Sequence, residues 1–207
     1  MLKLFYSPGS CALATHIALE ETGAPYEAVR IDFAAEEQLK PAFLAINPKG
    51  RVPALVTDRG ILTEAPAILT YIAQTYPQAN LAPLADPFAL AQMQAFNSYL
   101  CSTVHVAHAH LRRAYRWSDD AAGIESMIKK APQNMTDCFS MIEREMLKGP
   151  WVMGDTYSVA DPYLFTLARW LRGYEISTAQ FPKLHALMQR IAQRPAVQRV
   201  LAVQQLT

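Results

Sequence analysis

The sequence predicts an α/β plus all-α protein, with a small α/β domain followed by a domain built only of helices. Three observations carry this. The first 80 residues run strand, helix, strand, helix, strand, strand, helix, the order of a small two-layer sandwich. A stretch with Pro77, Pro83 and Pro87 follows and has little periodicity. Beyond it, every long segment has helical character. The expected division is 1–78 for the α/β domain, 79–87 for a linker and 88–207 for the helical domain.

Leu2–Tyr6 is an apolar run that reads as a strand, and a Pro8-Gly9 turn leads into a helix from Cys11 to Thr22, stopped by Gly23. Ala28–Asp32 alternates like a second strand. A short helix is expected over Gln38–Ala45, ending before Asn47-Pro48. Lys49–Val56 is a turn running into an apolar strand, and Asp58-Arg59-Gly60 is a tight turn into the partner strand at Ile61–Thr63. From Ala65 the residues Ile68, Leu69, Ile72 and Ala73 recur at helical spacing. The helical half is expected as Phe88–Trp117, Ala122–Leu147, Val159–Leu171 and two shorter helices within Phe181–Gln205. Ser158-Val-Ala-Asp161 is an acidic capping box with Ser158 at the N-cap.

Composition narrows the function classes. Of 207 residues, 51% are hydrophobic and 18% charged, which fits a chain that buries a core. A formal net charge of +1 gives no electrostatic case for nucleic acid. Cys11, Cys101 and Cys138 are scattered, with neither CxxC nor metal-ligand spacing. That pattern suits a reducing, cytoplasmic setting better than a disulfide framework. The apolar residues before Cys11 are too few for a lipoprotein signal, and no run approaches a membrane span. No metal and no membrane partner is expected.

Three sites carry chemistry. Ser10 and Cys11 open the first helix, whose free N–H groups stabilise an anion. A thiolate is the anion a cysteine can become, although an unperturbed thiol is only about 3% ionised at pH 7. The expectation is therefore a Cys11 thiol lowered by its position, or the thiolate of a bound ligand stabilised there; a small buried cysteine is the alternative. Val52-Pro53 opens a strand, and a cis bond there turns the Val52 backbone toward an extended peptide. Glu64 precedes the helix at Ala65, where a carboxylate can accept from a ligand ammonium while the Ala65 N–H holds a ligand carboxylate.

Together these sites resemble the glutathione transferase superfamily over essentially the whole chain. The first domain is similar to its thioredoxin-like domain and the second to its all-helical domain. The bacterial beta class is most similar, through Phe5-Tyr-Ser-Pro-Gly9 with Cys11, Ala45-Ile-Asn-Pro-Lys-Gly-Arg-Val-Pro-Ala-Leu55, Leu62-Thr-Glu64 and Ser158-Val-Ala-Asp-Pro-Tyr-Leu-Phe165. The resemblance implies glutathione as co-substrate and Cys11 beside its sulfur. It implies Val52 and Pro53 at the cysteinyl backbone, and Glu64 with Ala65 at the γ-glutamyl end. His105 matches the class's active-site histidine, with Ser102 and Thr103 reaching glutathione partly across a two-fold homodimer. Ser10 falls where serine-type relatives keep their activating hydroxyl, so Cys11 and Ser10 both stand as candidates.

Departures from the pattern are specific. Glu36 occupies the position of a lysine that pairs with the glycyl carboxylate, leaving Lys40 or Lys49 to substitute. Ser98 replaces an asparagine, and Ala65 stands where many relatives have serine. The segment His105–Arg116 would line the acceptor-substrate site with His108, Arg112 and Tyr115, while Tyr6 forms a wall. Arg112, Arg113 or Arg116 would favour an anionic electrophile. The implied activity is conjugation of glutathione to small electrophiles, with monothiol disulfide reductase or peroxidase side activity through Cys11. The alternative is a non-catalytic binding module of the same fold.

Overall fold

The computed structural model describes residues 1–206. Strands β1 (Leu2–Tyr6), β2 (Tyr26–Arg30), β3 (Ala54–Thr57) and β4 (Gly60–Thr63) form one sheet in the order β2-β1-β3-β4. β2 runs parallel to β1, whereas β3 is antiparallel to both β1 and β4. The parallel pair needs a crossover, and helix α1 (Ala12–Thr22) supplies it. Alternation along β1 divides the core: Leu2 and Leu4 pack toward α1 and α3 (Ala65–Thr75), while Phe5 packs edge-on against Phe43 with ring centroids 5.8 Å apart. Gly23 ends α1 at φ +68°, the left-handed conformation for which glycine has no steric penalty.

The helical half comprises α4 (Pro87–Tyr99), α5 (His105–Arg113), α6 (Ala121–Met141), α7 (Ala160–Ala168), α8 (Pro182–Ala192) and α9 (Pro195–Val203). Every residue of α7 is buried, and α1 packs against α3, α7 and α9. A single apolar cluster therefore runs from Leu4 and Ile17 through Phe139 and Tyr163 to Val197, joining the two halves. Among the described residues no helix is long and apolar enough to cross a membrane.

Several expected elements are corrected. β2 lies two residues earlier than Ala28–Asp32, because its register partners Leu2–Tyr6 meet Tyr26–Arg30. The helix expected over Gln38–Ala45 is broken into a 3₁₀ turn, Glu37–Leu39, and the short α2, Pro41–Leu44. Pro41 disfavours helical geometry at Lys40, which is extended at φ −77°, ψ 149°. The long helix expected from Phe88 to Trp117 contains a π turn at Leu100–Val104 between α4 and α5. The acidic half of the expected capping box forms and gains an added function, although α7 takes Val159 as its N-cap and Ser158 Oγ accepts the Ala160 N–H at 3.3 Å rather than that of Asp161. Asp161 accepts the Ser158 N–H at 2.7 Å, and its other oxygen accepts the Val152 N–H at 2.8 Å, tying the preceding turn to α7.

Candidate active site

The loop from Ser7 to Cys11 joins β1 to α1 and is held from several directions. Ser10 Oγ donates to the Ser7 carbonyl at 2.7 Å and accepts the Ala12 N–H at 3.3 Å. Its hydroxyl is thus engaged by its own turn. The Trp170 indole donates to the Gly9 carbonyl at 2.9 Å, and Gln204 Oε1 accepts the Gly9 N–H at 3.1 Å. Gln204 Nε2 lies 2.9 Å from Nδ1 of buried His16 on α1. Both clamps come from the helical half.

Cys11 Sγ donates to the Val52 carbonyl at 3.4 Å, across from the cis Val52–Pro53 bond. Of the readings the sequence leaves open, a thiol lowered by the helix start is not the one its surroundings favour. Burial first, then the Glu64 carboxylate, push it up to about 12, against its own backbone hydrogen bond and the guanidinium groups of Arg113 and Arg51. Cys11 sits at the N-cap in helical geometry and makes no side-chain capping bond, so beyond its own backbone N–H its sulfur does not collect the first-turn N–H groups that would stabilise a thiolate.

Glu64 sits between β4 and α3 with φ +71°, and Ala65 starts the helix behind it. The Glu64 carboxylate is exposed and pairs with Lys49 Nζ, which also donates to Thr63 Oγ1 at 2.7 Å. Asn47 anchors the turn that carries Lys49, donating from Nδ2 to the Arg51 carbonyl at 2.5 Å and accepting the Lys49 N–H at 3.2 Å. Glu36 is exposed at φ +51°.

His105 follows the π turn on α5, its ring edge against Trp170 at 4.9 Å. Burial, then the guanidinium groups of Arg113 and Arg51, lower its imidazole to about 4. It is neutral at pH 7. Ser102 and Thr103 lie exposed on the π turn, with Ser102 Oγ donating to the Ser98 carbonyl at 2.7 Å.

The residues expected to wall the acceptor site differ in their surroundings. Tyr6 is buried and tilted against His16 at 4.9 Å, so it packs beneath the loop. His108 stacks on Trp170 at 4.2 Å, and its Nδ1 lies 2.9 Å from the Tyr174 hydroxyl, which occupies that nitrogen. Arg112 is exposed and Tyr115 is 61% exposed, whereas Arg113 is half-buried. Arg113 and Arg51 are the arginines whose charges act on both Cys11 and His105, Arg113 the more strongly. Trp170, Gln204 and Arg51 were not identified from sequence. The first two meet the loop across 161 and 195 residues, a separation that local patterns do not report. Among the described residues, no group of three or more His, Cys, Asp or Glu side chains could hold a metal ion.

Comparisons with known proteins agree with this architecture. Residues 1–74 match the family model "Glutathione S-transferase, N-terminal domain", and residues 103–195 match "Glutathione S-transferase, C-terminal domain". The chain is 32% identical over 207 residues to glutathione S-transferase GstA of Escherichia coli O157:H7, covering 98% of each. A glutathione transferase homolog from Sulfitobacter, solved with bound glutathione, is 46% identical with a TM-score of 0.95, covering 98% of each chain. The beta-class glutathione S-transferase of Sphingomonas chungbukensis is 38% identical with a TM-score of 0.85, covering 99% of this chain and 100% of that one. With both domain models matched in order and near-complete relatives above 30% identity, this chain belongs to the glutathione S-transferase family of enzymes, and its thioredoxin-like and helical domains are those of that fold.

Proposed function

We propose that the chain binds glutathione beside Val52, just ahead of β3, and conjugates the glutathione sulfur to small electrophiles. The observation that most supports this is the Cys11–Val52 contact beside the Glu64–Ala65 helix start. Residues 1–78 would hold the tripeptide and residues 88–207 the acceptor. The γ-glutamyl ammonium binds the Glu64 carboxylate, and its α-carboxylate takes the Ala65 N–H at the start of α3. The cysteinyl backbone pairs with Val52 ahead of Pro53. An N–H from the ligand that claims the Val52 carbonyl frees the Cys11 thiol to donate to the incoming sulfur.

A thiol raised this far above its ordinary value by burial stays protonated at pH 7. Cys11 then acts as a hydrogen-bond donor to the glutathione thiolate rather than as the attacking sulfur. Neutral His105 is able to accept the glutathione proton, while Arg113 and Arg51 favour the resulting anion. The sulfur's electron pair forms the new S–C bond as the leaving group departs with its own pair. Ser102 and Thr103, exposed on the π turn, are suited to a two-fold homodimer with one site per subunit, and a scattering mass of one chain would exclude that assembly. The three free cysteines fit a cytoplasmic setting.

The test is retention on immobilised glutathione, followed by turnover of a generic aromatic electrophile. Cys11→Ala is expected to keep conjugation with kcat/KM lower by about tenfold, the loss of one charge-assisted hydrogen bond. Disulfide reduction through a Cys11–glutathione mixed disulfide would disappear in the same variant. Complete loss of conjugation with binding intact would instead make Cys11 a nucleophile. Retention without turnover in the parent chain would favour a binding module.

A further inference from the structure

We propose that Lys49 is a specificity-determining residue that occupies the ammonium site of the ligand-free enzyme and transfers to the ligand's distal carboxylate on binding. The inference rests on the glutathione reading above and deepens it. Lys49 Nζ already makes the contacts an arriving ammonium would need, pairing with Glu64 and donating to Thr63 Oγ1 at 2.7 Å. The two ends are fixed independently. Asn47 pins the turn before the cis bond, and Glu64 is held at φ +71° at the head of α3.

Electrostatics make this contact exchangeable. The Lys49 and Glu64 side chains are 43% and 63% exposed, so the pair is solvated and contributes little. Replacing one ammonium by another on Glu64 leaves the local charge count unchanged. It releases a cation on a flexible four-carbon stem beside the bound peptide. The nearby acid, Glu36, is exposed and repels a carboxylate, so the released lysine is the complementary partner for the glycyl end. A ligand with both an ammonium and a distal carboxylate therefore gains twice from Lys49, whereas one lacking the carboxylate must displace the lysine without recompense.

Calorimetric titration with glutathione and with its glycyl carboxamide tests this. The parent chain is expected to bind the carboxamide two- to fivefold more weakly than glutathione, the range of one exposed ion pair. In Lys49→Met that preference should vanish, and the carboxamide itself should bind two- to threefold more tightly than to the parent. Lys49→Arg should restore the preference. A preference for glutathione that survives in Lys49→Met, or a carboxamide affinity that does not rise, overturns the proposal. Absence of any heat with glutathione and the parent chain would instead remove the underlying glutathione reading, and this inference with it.

Discussion

Asp161 shows how a single residue couples sequence to architecture. Its two oxygens satisfy the Val152 and Ser158 N–H groups, and Ser158 Oγ lies 3.2 Å from the second oxygen. Burial raises the carboxyl to about 6 even though all three contacts favour the charged form. Asp161→Ala would leave two buried backbone donors without acceptors, at about 1–3 kcal/mol each. We expect a loss of about 2–4 kcal/mol in urea unfolding with little change in glutathione affinity, and a loss below about 0.5 kcal/mol would refute the assignment. The Ser158–Asp161 spacing made the cap legible, because a capping box is local chemistry. The second bond, to Val152, was not legible, because it depends on where the preceding turn folds back.

The same contrast holds for elements. Gly23, the Asp58–Gly60 turn and the Glu64–Ala65 junction were readable because each is set by its own few residues. The Lys40–Pro41 break followed from a rule acting one residue upstream, yet the apolar pattern obscured it. The π turn at Leu100–Val104 left no compositional mark, although it offsets α5 from α4 just before His105. The position of Cys11 at the start of α1 was legible, but its charge state was left open by the sequence. A helix start offers partial charge only to a group aimed at its N–H donors, whereas burial acts on the thiol whatever its direction. The loop from Ser7 to Cys11 depends on a clamp from outside its element, the Trp170 indole on the Gly9 carbonyl. Trp170→Phe keeps the stack with His108 and removes only this donor. A kcat lowered about three- to tenfold, with the KM for glutathione within twofold, is expected if Trp170 positions the loop. A purely structural role would lower the melting temperature and leave kcat per folded molecule unchanged.

At the scale of the molecule, the two domains are joined by more than apolar contact. Arg194 holds Glu21 through Nε at 2.6 Å and a second nitrogen at 2.9 Å, and Arg199 Nε holds Glu20 at 2.5 Å, so α9 and its N-terminal flank are tied to α1. Gln204 then reaches His16 beneath the same helix. Histidines at or near this interface set the pH response. His16, His105 and His108 are each lowered to about 4, in every case chiefly by burial. A histidine whose folded value lies below its unfolded value of about 6.5 is protonated first in the unfolded chain. Its contribution to stability is complete above about pH 6.5 and is lost as pH falls toward about 4. Asp161 acts in the opposite direction, because it holds a proton in the folded state between about pH 4 and 6 that the unfolded chain has released. Near pH 5 the three histidines outweigh the one carboxyl, so unfolding is expected to take up about two protons net. Urea midpoints measured from pH 7.5 to 4.5 should therefore fall steadily below about pH 6.5. His16→Gln, which keeps a hydrogen-bonding side chain beside Gln204 without a titrating ring, should remove about one proton from the slope. A midpoint that is flat or rises over this interval would mean that the buried imidazoles do not govern the acid response.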